Sequence, residues 1–238
     1  MLKVENLRTF NWEGALRGMR NPMNSWVKSD STFDENGNII NIGENDLRLM
    51  KTLFKAGTEH RKYLRQIFVS MDITAPFYLW KDMSTYKIGV TSNSCSTMHK
   101  LTSKPITLDD FSIDDDDMDF IDSEDEVSLS APFISVVGNC EMYRQKYLTY
   151  KQKAKLNPKR AEHYNSCAQR YWRKLVQFLP SSYNQKRTIT MNYENVFNII
   201  HQRQNHKLSE FHTLCDVLKT LPYVQELLSA LDEKEIKQ

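Results

Sequence analysis

The stretch that constrains this chain most is Leu179 to His212, LPSSYNQKRTITMNYENVFNIIHQRQNHKLSEFH, where a strand signal runs directly into a helix signal. Thr188 to Met191 (TITM) is β-branched and apolar and predicts a short strand. Asn192 follows as a candidate N-cap, and Val196, Ile199 and Ile200 carry an apolar stripe at helical spacing. Arg203 falls on that same stripe, seven residues after Val196. A guanidinium on the core-facing side of a helix needs an anion, either a structural Asp or Glu or a ligand phosphate or ionising base. A helix that starts just after a strand also offers free backbone N–H groups to an anion.

Around this stretch, apolar spacing predicts further elements. Asp46 is placed to cap a helix carrying Leu47, Met50, Leu53 and Phe54, which Gly57 can end. Ile67, Val69, Met71 and Ile73 alternate with Phe68, Ser70 and Asp72 as in a strand, although a helix over residues 59–69 is the competing pattern. Thr74 and Pro76 open a helix over Phe77 to Trp80. Ser135 to Leu156 and Lys159 to Phe178 are two helices parted by Asn157 and Pro158, the second with Tyr164, Ala168, Tyr171, Trp172 and Leu175 as its core stripe. Leu208 to Leu218 and Val224 to Leu231 are C-terminal helices on either side of Pro222. Residues 1–45 yield only one short apolar stretch and a turn near Glu35, Asn36 and Gly37.

Charge narrows the choice of partner. Residues 109–126 hold eleven carboxylates and no lysine or arginine, so the net +2 of the chain leaves +13 on the remainder. Such a body favours anionic ligands, nucleotides and nucleic acid among them, or is simply a solvated basic surface. The acidic run lacks the Gly and Glu spacing of an EF-hand and is expected to be a solvated, flexible insertion at about 103–132. Four separated cysteines, with no CxxC and no paired histidines, argue against zinc ribbons and disulfide scaffolds, and no metal site is expected. With no long apolar run and no signal-peptide layout at Met1 to Trp12, a cytoplasmic protein without membrane contact is expected.

Tyr86 to His99, YKIGVTSNSCSTMH, is dense in hydroxyls and amides that either build turns or hold phosphate oxygens. Nothing adjacent activates Cys95, so packing is its expected role.

Together the two polar stretches resemble the flavin-dependent thymidylate synthases, which methylate dUMP using FAD, reduced nicotinamide and methylene-tetrahydrofolate. The resemblance runs from about Leu47 to Pro222 around the acidic insertion. In TSNSCSTMH, Thr91 stands for the first Ser of the family signature, Asn93 matches its Asn, and Ser96 matches its second Ser. The signature's Arg-His-Arg triplet falls on Tyr86, Lys87 and Ile88. Ser94 replaces its Glu, and Met98 replaces its Arg. Asn192, Asn198 and Arg203 reproduce the family's two asparagines six apart and the arginine five further on, after the Leu-Pro at Leu179 and Pro180. His206 and Glu210 resemble the family's following His and Glu, and Gly57 to His60 its flavin-contacting Gly-His-Glu segment.

What the resemblance implies is an α+β fold, a mixed sheet flanked by long helices, as a single domain over residues 1–238. It further implies an FAD enzyme with NADPH and methylene-tetrahydrofolate as co-substrates, assembled as a homotetramer with sites between subunits. Arg203 would bind dUMP and help ionise its pyrimidine, with Ser96, Cys95, Thr97 and Lys87 also at the substrate. Lys87, Asn93, Ser94, His60, Asn192, Asn198 and His206 would contact the cofactor. Charged contacts to phosphate are about twice as strong as neutral ones, so losing the signature arginines costs phosphate grip unless Lys87, Arg173, Lys174 or Arg187 substitutes. The alternatives are a nucleotide-binding module on the same fold that has lost the chemistry and, ranked last, a nucleic-acid binder suggested by the basic body and Tyr171, Trp172 and Arg173.

Overall fold

The computed structural model describes residues 2–114, 121–122, 127–128 and 130–235. In chain order the elements are β1 (Lys3–Phe10), α1 (Trp12–Arg20), β2 (Thr32–Phe33), β3 (Ile39–Asn41), α2 (Glu44–Lys55), β4 (Phe68–Pro76), α3 (Phe77–Met83), β5 (Thr91–Ser94) and α4 (Thr97–Lys100). Then come β6 (Ile121–Asp122), β7 (Val127–Ser128), α5 (Ser130–Leu156), α6 (Ala161–Phe178), β8 (Asn184–Asn192), α7 (Tyr193–Arg203), α8 (Ser209–Lys219) and α9 (Val224–Glu235). The main sheet has the order β1-β4-β8-β5, while β2 pairs with β3 and β6 with β7, both antiparallel. The class is therefore mixed helix and sheet with long helices, as expected.

The chain forms two compact units. The first comprises residues 1–3, 74–83 and 94–186, and the second residues 4–73, 84–93 and 187–238.

In the second unit the alternation anticipated for β4 buries Val69, Met71 and Ile73, and that of β8 buries Ile189 and Met191. Helix α7 adds Val196, Ile199 and Ile200, while α8 adds Phe211, Leu214 and Leu218. Trp12, fully buried at the start of α1, meets the Tyr193 ring edge-on at 5.1 Å. Residues 59–69 are not an α-helix: a short 3-10 turn at Lys62–Arg65 precedes β4. The turn near Gly37 is present, with φ of 75° at that glycine, where a side chain would strain the backbone.

Helix α2 corrects the cap assigned to Asp46. The helix starts three residues earlier, with Gly43 at the cap position, and its free N–H groups at Asn45 and Asp46 donate to the Asp30 carboxylate at 2.9 and 3.1 Å. Asp46 itself is fully buried and takes Arg20 Nε at 2.6 Å, the hydroxyls of Ser29 and Ser31 at 2.7 Å each, and two backbone N–H groups. Burial raises its pKa, but these donors together outweigh burial and hold the carboxyl below its ordinary range.

In the first unit α5 and α6 form a long hairpin whose base packs on Leu101, Ile106 and Phe111. Val137, Cys140 and Leu175 are buried in that cluster. This corrects the expectation of a solvated loop from residue 103: the chain up to Ile113 contributes core, while residues 115–120, 123–126 and 129 of the acidic run lie outside the described residues. Ile106 N–H is fixed by the Glu141 carboxylate at 2.8 Å, which also takes Arg144 Nε at 2.7 Å and Nη2 at 2.8 Å. Helix α3 begins with Phe77 N–H donating to the Tyr183 carbonyl at 3.1 Å.

Candidate functional site

In the second unit the geometry converges on the two ends of α7. At the N-terminal end the Asn192 side-chain oxygen accepts from Asn195 N–H at 3.0 Å, the N-cap that the sequence predicts. Asn195 donates to the carbonyl of Gly89 at 3.3 Å. Gly89 has φ of 73°, and a Cβ there would stand 2.6 Å from Asn192 Nδ2, so only glycine lets this turn approach the cap. Asn198, one and a half turns along, is half-buried and makes no side-chain hydrogen bond among the described residues.

At the C-terminal end Arg203 donates from Nε to the Tyr86 hydroxyl at 3.1 Å, and that hydroxyl donates to Gln202 Oε1 at 3.0 Å. The guanidinium carbon lies 4.8 Å from the Phe211 ring centre and 5.7 Å from that of Tyr86. The Tyr86 phenol and the Phe211 ring thus help fix the Arg203 cation on the stripe. His206 stands 4.8 Å from the same Phe211 ring, and its Nδ1 accepts from Leu208 N–H at 3.2 Å. Lys87 and Asn93 are exposed. His60 stands elsewhere in this unit, lining a cavity of about 670 Å³ with Met19, Met23, Tyr63 and Gln66 but none of the α7 residues.

In the first unit Ser94 ends β5 and the Ser96 hydroxyl caps α4, accepting from His99 N–H at 3.3 Å. Buried Gln185 holds this turn, donating to the Cys95 carbonyl at 2.9 Å and to Thr97 Oγ1 at 3.1 Å. Cys95 N–H donates to the Lys186 carbonyl at 2.8 Å. Its side chain is exposed, which corrects the packing role expected for it. A cavity of about 280 Å³ opens beside Cys95, Ser96 and Thr97, with Lys100, Lys186 and Tyr183 also on its wall. Burial chiefly, helped by the negative charge of Asp110, raises the Tyr183 pKa and keeps its hydroxyl protonated. Lys104 and Asp110, also on the wall, pair with each other.

Gln185, Lys100, Lys186 and Tyr183 line this cavity and lie outside the motifs that the sequence offers. The alternation of β8 extends back to Gln185 and was the one signal available for it. Arg187 is half-buried, and burial lowers its pKa. Arg173 and Lys174 are exposed on α6. Among the described residues no cluster of His, Cys, Asp or Glu has the geometry to hold a metal ion, and no helix is long and apolar enough to cross a membrane.

No family model matches the sequence, and no curated protein matches it. Solved structures do match. Thymidylate synthase X of Helicobacter pylori, crystallised with FAD and dUMP, superposes with a TM-score of 0.60 over 97% of this chain and 99% of its own, at 16% identity. A second crystal structure of that enzyme with the same ligands gives 0.59, at 16% identity and over 97% and 98% of the two chains. The UMP/dUMP methylase PolB of Streptomyces cacaoi, bound with 5-Br dUMP, gives 0.56 at 11% identity over 97% and 95%. The chain has the fold of the flavin-dependent thymidylate synthases.

Within the thymidylate synthase X fold, the departures from the family signature now have locations. Of Tyr86 and Ile88, which the resemblance sets at the triplet, Tyr86 is bound to Arg203. Ile88 is 91% exposed and Met98 55% exposed, so two positions where the signature carries a cation or polar group present apolar side chains to solvent.

Proposed function

We propose that this chain is a flavin-dependent enzyme of uridylate modification, with methylation of dUMP as its reaction. The observation that carries the reading is Arg203, held at the end of α7 by the Tyr86 hydroxyl and the Phe211 ring on a fold that thymidylate synthase X covers almost end to end.

The residues present fit a flavin at one point and a nucleotide at two. Asn198 offers a half-buried amide without a side-chain partner among the described residues, suited to the polar edge of an isoalloxazine ring. Asn192 serves as the helix cap, so its part is to fix the start of α7. His60 and His206 remain cofactor candidates, as do Lys87, Asn93 and Ser94, all three exposed. For the nucleotide, the cavity beside Cys95 sets the hydroxyls of Ser96 and Thr97 beside Lys100 and Lys186, which suits an oxyanion. These lysines would take over from the signature arginines.

When bound, the flavin supplies the hydride to the pyrimidine, with the carbon drawn from methylene-tetrahydrofolate and the electrons from NADPH. Arg203 stabilises negative charge developing on the base, and because its guanidinium is fixed beforehand, little reorganisation is needed as that charge forms. No cysteine nucleophile takes part. The active assembly is a homotetramer.

A second reading, nucleotide binding without methylation, is favoured by Ile88 and Met98 at the signature positions. Absorbance titration with FAD and then dUMP, followed by tritium release from labelled dUMP, separates the two. We expect flavin bands that dUMP perturbs, and Arg203→Ala to lower tritium release by about 100-fold or more, the scale of losing one electrostatic donor. Flavin and dUMP binding without tritium release would establish the second reading, and no binding of either at millimolar concentration would overturn both.

A further inference from the structure

The outer half of the α5–α6 hairpin, in the first unit, has no part in the flavin reading. Residues 146–170 hold seven lysines and arginines against a single carboxylate, Glu162. Beyond Arg144 the sole buried residue of α5 is Ala154, and on α6 burial begins at Ala168. Lys151, Lys153, Lys155, Lys159 and Arg160 are all exposed, with Lys151 and Lys155 four residues apart on one face of α5.

A basic face that served solubility alone would need no aromatic surface, yet this one is lined with rings. Tyr150 and Tyr171 stack at 5.5 Å with 17° between their planes, and Lys153 Nζ lies 5.2 Å from the Tyr150 ring centre. Beside them a cavity of about 370 Å³ is walled by Tyr147, Trp172, Lys151, Asn165, Gln169 and Met98. Tyr147 and Trp172 are only half-buried, so helical spacing alone does not explain them as core. Lys151 Nζ donates to Asn165 Oδ1 at 3.2 Å, which sets a cation and an amide at one edge of the cavity.

Aromatic walls with amides accept the face and edge of a base, and a row of lysines follows a phosphate backbone. A paired base is denied such a cavity unless it leaves its stack, which selects single strands. We propose that the α5–α6 hairpin binds single-stranded nucleic acid, with phosphates along Lys151, Lys155, Lys159 and Arg160 and one base in the cavity between Tyr147 and Trp172.

The test is fluorescence anisotropy of a labelled 20-nucleotide oligo(dT) or oligo(U) with the full chain, from low to moderate salt. Four phosphate contacts give an expected log–log salt slope of about −3, from roughly 0.7 per contact on a single strand. The combined variant K151Q/K155Q/K159Q/R160Q, all at exposed positions, is expected to lose most of that slope and at least about tenfold in affinity at low salt. Trp172→Leu is expected to weaken binding about tenfold with the slope unchanged, because a stacked base is lost and no phosphate contact is. Tyr147→Leu supplies the same reading should Trp172→Leu fail to fold by circular dichroism. Absence of salt-dependent binding overturns the proposal, as does equal or tighter binding of a duplex of the same length. Equal affinity for polyglutamate would reduce the site to bare charge and overturn it too. None of these outcomes depends on whether the chain binds FAD.

Discussion

Two buried or half-buried arginines show how single residues are settled by distant partners. Arg20 is 4% exposed and pairs with Asp46, whose remaining lone pairs are taken by Ser29, Ser31 and two backbone N–H groups. Removing the carboxylate leaves a buried guanidinium, so Asp46→Ala is expected to cost about 3–5 kcal/mol in urea unfolding. The double variant Arg20→Met with Asp46→Leu removes both charges and should recover much of that loss. If the double variant is as unstable as the single one, the ion pair is not the source. Neither partner of this pair was legible locally. Asp46 carries the residue type of an N-cap, but the acceptor for the helix start comes from Asp30, sixteen positions before Asp46, and local sequence does not reveal a loop folding back. Arg203 was legible as a cation in need of a partner, and its position on the stripe was right. That rings as well as anions satisfy a guanidinium is why Tyr86 and Phe211 were not anticipated.

Elements were legible where one face is buried and the period is clean, except α1, whose Trp12, Ala15, Leu16 and Met19 are buried at helical spacing but were passed over. Strand β8 and helix α7 were foreseen from TITM and the Val196, Ile199, Ile200 spacing, and all three of those residues are buried. Strand β1 was not, because it lies at the edge of the sheet, buries none of its residues and bends at Asn6, where φ is 54°. An edge strand needs little apolar alternation and leaves little in its sequence. The turn that supports α7 gives an element-level test. Gly89→Ala places a Cβ against Asn192 Nδ2 at 2.6 Å and on a φ of 73°, so the cap of α7 must shift. We expect a loss of about 1–3 kcal/mol, the scale of left-handed strain with a damaged cap, visible as a lowered Tm. Gly57, with φ of 107° but nothing within 4 Å of a Cβ, is the control: alanine there should cost only the backbone strain, about 1 kcal/mol.

At the scale of the whole molecule the fold was legible through a few polar positions, although identity to thymidylate synthase X is 16%. A fold tolerates replacement of nearly all side chains if core volume and pattern persist, whereas the cavity beside Cys95 depends on Gln185 and Lys186, brought to it only by the path of β8. Charge also acts at this scale. The chain balances 32 lysines and arginines with 30 carboxylates, so acid protonation leaves it strongly positive and self-repelling. Arg144 chiefly, with Ile106 N–H and Gln145 assisting against burial, holds Glu141 at about 2, well below its ordinary 4.5. A carboxyl lowered on folding contributes stability above its unfolded pKa and loses it as pH falls through the folded one, so this contribution fades from about pH 4.5 towards 2. Asp46, also lowered, acts in the same direction. Acid titration by circular dichroism should therefore show unfolding that begins below about pH 4.5. Glu141→Gln is expected to be less stable at pH 7 by about 1–2 kcal/mol, after allowing for solvent screening of the pair, and to lose stability less steeply on acidification. An unchanged acid slope in that variant would show that Glu141 is not a linked group, and the general build-up of positive charge would then account for acid unfolding without it.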